Sequence, residues 1–454
     1  MWYGGKCGIW WTKNGPNIWW YVIVREKGCG DINKKTEIET RSVLLNIIQN
    51  FFHKIAKAIR VYRQNLKLIS RNGWLFLTGT FFMGMGFSGF MLLFNLYLKS
   101  ISLGEGRIGN IITASTIGTL IMAIPASLVI KRFSIKKILL LSTPVALVCY
   151  FIQVSTVYYT TIIWASLISG VATVFFQVTA APFFMRNSTP RERPYLFSLN
   201  FASSLVAGII GSILGGILPG IIEQHGFSAN LTYRYTLYIF GGLVMVAFVP
   251  YLMIREGVEI NLEQTERFFE LKTKGSIIIK LFLPNLITGL GAGLSIPFIN
   301  LYFKNWLHVS TNLIGIYFSI SQALMITGLL IAPLVAEKIG KIRTVFFSQI
   351  FSIPFLIVMG FTRNIPLAVT SFLIRAALMN MAQPLFTNFA MEKVHKNEQS
   401  LTNALLVIAW TAGRGLSASI GGLLIEHLSS YGPPFFTTSI LYLISSILLY
   451  TFFH

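Results

Sequence analysis

The chain has 454 residues, 54% of them hydrophobic and 12% charged, with a mean hydropathy of +0.65. A soluble globular domain carries about 25% charged residues, so this composition excludes one and indicates a polytopic membrane protein. The formal charge of +21, from 37 Lys and Arg against 16 Asp and Glu, does not signal a nucleic-acid partner, because its placement along the chain follows the membrane.

The N-terminus, "MWYGGKCGIWWTKNGPNIWWYVIV", has apolar runs too short and too aromatic for a signal peptide. Five of the nine tryptophans fall in the first 20 residues, and residues 1–42 carry no functional reading. Between 44 and 67, Leu44, Ile48, Phe51, Ile55, Ile59 and Tyr62 form one helical stripe with Lys54, Lys57, Arg60 and Lys67 off it. That pattern predicts a helix lying in the plane of a membrane surface, or against a soluble partner helix. The three cysteines, Cys7, Cys29 and Cys149, give no disulfide framework or metal cluster.

Twelve apolar runs are long enough to cross about 30 Å of hydrocarbon at 1.5 Å per residue. They lie at 74–98, 107–130, 137–157, 160–185, 195–222, 234–254, 278–303, 311–334, 342–361, 364–389, 400–425 and 433–453. The loops after even-numbered spans hold 17 Lys and Arg, those after odd-numbered spans 5, and the N-terminal segment 13. Positive charge is retained on the cytoplasmic side, so both termini are expected there, in a multi-pass protein of the plasma membrane.

The spans repeat. "GMGFSGFMLLFNLYLK" (84–99) returns as "GLGAGLSIPFINLYFK" (289–304) at an offset of 205, and "KRFSIKK" (131–137) as "EKIGKIR" (337–343) at 206. An even number of spans per half places two parallel repeats about an axis along the membrane normal. The expected organisation is a basic segment at 1–73, a six-helix bundle at 74–254, a charged connector at 255–277 and a second six-helix bundle at 278–454.

Over roughly 74–454 this layout resembles the major facilitator superfamily, which implies an all-α fold of twelve transmembrane helices in two pseudo-symmetric bundles. That family has a G-x-x-x-D-R-x-G-R-K loop between spans 2 and 3, echoed between 8 and 9. Glu337, Lys338, Gly340 and Lys341 match the second copy. In the first, Lys131 replaces the acid and Ser134 the glycine, while Arg132, Lys136 and Lys137 keep it basic. "GIIGSILGGILPG" in span 5 is similar to the family's exporter signature, with Ser212 at the proline, and its glycines equally suit close helix packing.

No phosphate loop, H-E-x-x-H or G-x-S-x-G is present, so neither an enzyme nor a cofactor is indicated. The sixteen acids and six histidines all sit in termini, connections or span ends, which leaves no carboxylate or imidazole relay at membrane depth. Two cations are deep. Arg375 and Arg414 each lie about 10 residues from the far ends of spans 10 and 11, near the midplane. In the resembled family both spans line the central cavity. The pair therefore suggests an anionic cargo held by guanidinium forks, although either arginine also suits bonds to carbonyls or to Asn380, Gln383 or Asn300. Their first-half counterparts, Thr173 and Gly208, are uncharged.

Gln177, Asn200, Asn95, Asn300 and Asn380 complete the candidate substrate site, with Trp410 and Phe176 as candidate walls; the amides equally suit interhelical hydrogen bonds. A cytoplasmic gate is expected from Lys131 with Glu398 and from Glu337 with Arg191 or Arg193, in loops carrying Arg132, Lys338, Gly340 and Lys341. The resulting reading is a secondary transporter of a small solute working by alternating access. The alternatives are a multidrug-type exporter and a non-transporting membrane sensor or scaffold.

Overall fold

The computed structural model describes Leu66 and residues 69–189, 192–255, 273–395 and 398–454. The N-terminal region with its expected surface helix, Leu66 apart, lies outside the described residues, as do Arg191 and most of the connector. Among the described residues twelve helices are long and apolar enough to cross a membrane. They are α1 (Arg71–Ser100), α2 (Glu105–Arg132), α3 (Ile135–Ser155), α4 (Tyr159–Asn187), α5 (Arg193–Glu223), α6 (Ala229–Met253), α7 (Gly275–Ser295), α8 (Thr311–Ile339), α9 (Lys341–Phe361), α10 (Ile365–Lys393), α11 (Gln399–Leu428) and α12 (Gly432–Phe453).

Each corresponds to one expected span, with ends longer by a few residues where polar caps extend the helix past its apolar run. Ser70, Ser134, Ser310 and Asn364 accept N-terminal backbone N–H groups of α1, α3, α8 and α10. The closely spaced spans 3 and 4 separate at Thr156–Tyr158. Span 7 departs from a simple helix. Pro297 has no N–H to donate, and after Ser295 the chain passes through a 3₁₀ turn (Ile296–Phe298), Ile299–Leu301 and a π turn (Tyr302–Trp306). The matching span α1 has no proline and runs unbroken.

The packing reproduces the repeat. In the first half α1 packs on α5 and α6, α2 on α4, and α3 on α4 and α6; in the second, α7 packs on α11 and α12, α8 on α10, and α9 on α10 and α12. The halves meet along two related seams, α2 with α11 and α5 with α8. Repeated residues make repeated bonds. Tyr97 donates to the Val154 carbonyl at 2.6 Å and Tyr302 to that of Met359 at 2.9 Å. Asn95 donates across to the Pro297 carbonyl at 2.7 Å, and Asn300 reciprocates to that of Leu92 at 2.8 Å. All four donor–acceptor positions are related by the same offset of 205.

The ends of the bundle differ. One carries the Lys- and Arg-rich loops, and is called here the basic end. The cross-half hydrogen bonds found among the described residues run from mid-span toward the other end. They include Thr113 to the Gly415 carbonyl, Ser319 to the Ile209 carbonyl, and the Gly106 N–H to Glu426. At the α5–α8 seam a Cβ on Gly315 would lie 2.5 Å from the Ser212 carbonyl oxygen and 2.6 Å from the Gly216 Cα. Only glycine permits that approach, which is how helices associate in lipid without a hydrophobic driving force.

Gly315→Val is expected to part this seam and lower the thermal unfolding midpoint in detergent, at a cost of about 1–3 kcal/mol. Gly220→Ala on the same α5, where a Cβ meets nothing within 4 Å, is expected to leave the midpoint unchanged.

Candidate functional site

A cavity of about 290 Å³ lies within the second half, with walls from α7, α9, α10, α11 and α12. Arg375 and Arg414 both line it. Asn364 caps α10 and Pro366 occupies its first turn, which fixes the start of the helix and sets Arg375 ten residues, or about 15 Å, inside. Arg414 belongs to "AGRGL", and its flanking glycines are required by contact. A Cβ on Gly413 would come 2.6 Å from the Leu286 carbonyl oxygen of α7, and one on Gly415 1.9 Å from the Thr116 hydroxyl of α2. The α11 backbone is thereby pressed between its neighbours. Because α11 continues to Leu428, Arg414 lies 14 residues from that end rather than about 10, so its Cα is deeper along its own helix than Arg375 is along α10.

The two guanidinium groups are held differently. Arg375 is 6% exposed, and its Nη2 donates to the Tyr442 hydroxyl at 2.9 Å, while its Nε is buried without a hydrogen-bond partner. Arg414 is open to the cavity, and its guanidinium makes no hydrogen bond to any described residue. No Asp or Glu lines the space. An isolated cation at membrane depth costs several kcal/mol, offset where it reaches water or an anion.

The remaining wall is amide, hydroxyl and apolar. Asn380 lines the cavity with its Nδ2 donated to the Ala376 carbonyl at 2.7 Å, and Gln383, Trp410, Met379 and Phe386 stand around it. Sequence reasoning missed five polar neighbours. Tyr442, Ser445, Asn285, Thr288 and Gln349 come from α12, α7 and α9, none of which the arginine pattern implicated. Asn285 donates to the Leu406 carbonyl, Gln349 accepts from Ser446, and Ser445 bonds Thr288. Asn285 and Gln349 carried a usable signal as mid-span amides; Tyr442 carried none, since tyrosine is ordinary in such helices.

Other candidates are elsewhere. Asn95 and Asn300 join the two halves, as described above, and do not line the arginine cavity. Gln177 is exposed on α4, Asn200 on α5 has a buried Oδ1 without a partner, and neither these nor Phe176 line the cavity.

At the basic end, Arg193 donates to the Met185 carbonyl at 2.9 Å and Glu337 is exposed with no ion pair to Arg193. Glu398 is buried and accepts the Thr273 N–H through both oxygens, at 3.0 and 3.1 Å. The Lys131 side chain lies outside the description; Arg132 and Lys338 are exposed, and Gly340 takes φ +87° between α8 and α9. Lys341 pairs with Glu392 of its own half.

The comparisons agree with this architecture. The family model for the Major Facilitator Superfamily matches residues 76–285 and 281–454. Solved structures with the same fold include the nucleoside transporter NupG as a D323A mutant (TM-score 0.72, 12% identity, 84% of this chain and 100% of that one). A bacterial homologue of the human lysosomal transporter Spinster, inward-facing and unoccupied, gives a TM-score of 0.68 at 14% identity over 84% and 97%. A D-xylose–proton symporter gives 0.66 at 15% over 86% and 98%. None of the curated proteins compared with the chain matches it in sequence. The chain belongs to the Major Facilitator Superfamily of membrane transporters.

Proposed function

We propose that this transporter moves a small organic anion by alternating access, with Arg375 and Arg414 as its grips. The observation that carries the reading is a cavity lined by two guanidinium groups, one with a bare Nε and the other without a hydrogen bond, and by no carboxylate. Arginine forks suit carboxylate and phosphate oxygens. Tyr442 accepts from Arg375 and so orients that fork, leaving its own phenolic proton for the cargo. Nucleosides and D-xylose, named for two structural neighbours, are likewise small solutes.

In this reading the bound anion neutralises two cations before the halves close around them, so the loaded carrier isomerises more readily than the empty one. The loop charges support a plasma-membrane protein with its basic end in the cytoplasm. At that end Lys131 with Glu398, and Glu337 with Arg193, would meet as the halves approach. An exposed pair such as Glu337 with Arg193 contributes about 0–1 kcal/mol, enough to bias the two states, whereas the buried Glu398 would first have to release the Thr273 N–H.

In proteoliposomes screened with labelled dicarboxylates and phosphate monoesters, Arg375→Gln and Arg414→Gln are each expected to reduce uptake about 30-fold or more at unchanged membrane insertion, the effect of losing a charge-assisted partner of about 2–5 kcal/mol. Uptake indifferent to both substitutions overturns the site. Because no acid lines the cavity, transport is read as uniport, exchange or coupling through an ion carried with the cargo; an imposed proton gradient is expected to drive no uphill accumulation, and strong accumulation would reject that reading. Reversing Lys131 and Glu398 together is expected to restore the flux that each single reversal loses, and failure of rescue would dismiss that pair.

A further inference from the structure

A third arginine stands apart from the cavity of Arg375 and Arg414, at the end opposite the basic loops. Arg234 lies five residues into α6, about 7–8 Å from the start of the helix. The helix has 25 residues, about 37 Å, against some 30 Å of hydrocarbon, so Arg234 lies within about 4 Å of the level where acyl chains give way to headgroups. Arg234 borders an open groove of about 470 Å³, whose other walls are Ile152, Ser155, Thr156, Val157 and Tyr158 at the corner between α3 and α4. Its Nη2 donates to the Tyr97 hydroxyl at 3.1 Å, and its Nε is buried with no partner. One turn along α6, the Tyr238 hydroxyl meets that of Ser155 at 2.9 Å. No acid lines the groove.

The repeat does not preserve this arginine's hydrogen bond. The repeated tyrosine, Tyr302, closes the equivalent bond to Met359, and no arginine bonds its hydroxyl among the described residues. Below the groove the exposed face of α3 is an unbroken apolar stripe of Ile152, Val148, Val145 and Leu141, which are 39%, 56%, 38% and 72% exposed. These residues are spaced three or four apart, along one face of the helix.

We infer that this groove is a binding site for an anionic phospholipid of the leaflet at that end. The phosphodiester sits on the Arg234 guanidinium beside the Ser155 and Tyr238 hydroxyls, and an acyl chain descends the α3 stripe. With no carboxylate to receive an ammonium headgroup, the site favours a net negative lipid over a zwitterionic one. A free phosphate shares the headgroup chemistry but has nothing to place on the stripe, so the lipid is the occupant.

The test uses the full chain, purified and delipidated, with native mass spectrometry and thermal shift as readouts. Phosphatidylglycerol, diacylglycerol with the same chains, and inorganic phosphate are added separately. The wild-type protein is expected to retain phosphatidylglycerol at least about 10-fold more tightly than Arg234→Gln does, with Arg234→Lys between them. Arg363→Gln, which alters a guanidinium stacked 3.5 Å over Trp306 at the same membrane face, is expected to bind as wild type. Equal retention by Arg234→Gln, or equal binding of diacylglycerol, overturns the site. Phosphate binding at Arg234 without lipid retention overturns the lipid assignment. Should Arg234→Gln fail to fold, Ile152→Asp on the stripe serves instead, with loss of phosphatidylglycerol expected and unchanged retention counting against the proposal.

Discussion

Lipid offers no hydrogen-bond partner, and that single constraint organises this protein. Each span satisfies its own backbone by being helical. Polar side chains within the spans turn to carbonyls or to one another, as Thr288 does with Ser445 and Ser446 with Gln349. Helices cannot gain by hiding apolar surface from an apolar solvent, so they associate through close backbone approach and a few shared hydrogen bonds. The Gly216–Gly315 contact and the reciprocal Asn95 and Asn300 bonds are the two forms this takes between the halves.

The same constraint gives meaning to the departures from symmetry. Some contacts that hold the fold recur in both halves, as the tyrosine and asparagine pairs show. Thr173, the counterpart of Arg375, bonds the Gly170 carbonyl within its own helix, and Gly208, the counterpart of Arg414, packs near Gln322. Neither leaves an unsatisfied donor aimed at a cavity. A guanidinium without a counter-ion at that depth is costly to keep, and the arginine pair occurs in one half alone.

The pattern of contacts also bears on movement. The cross-half hydrogen bonds among the described residues lie from mid-span to the end opposite the basic loops, and just past α7, which forms a wall of the cavity, the chain changes helix type around Pro297. Its partner α1 is continuous, so the interrupted span belongs to the half that holds the arginines.

The sequence by itself determined the number of spans, their approximate limits, the duplication and the two deep cations, because all of these are properties of local hydropathy and linear spacing. It also identified Asn95 and Asn300 as polar residues at depth, but not their roles, since an amide that binds cargo and one that joins two helices look alike in a linear pattern. Only the tertiary structure decided that these asparagines serve the interface, that Asn285, Gln349 and Tyr442 border the cavity, and that Arg375 has a tyrosine partner while Arg414 does not. Which face of a helix meets which neighbour depends on crossings between segments hundreds of residues apart. In a membrane, where nearly every face is apolar, hydropathy gives little guide to those crossings.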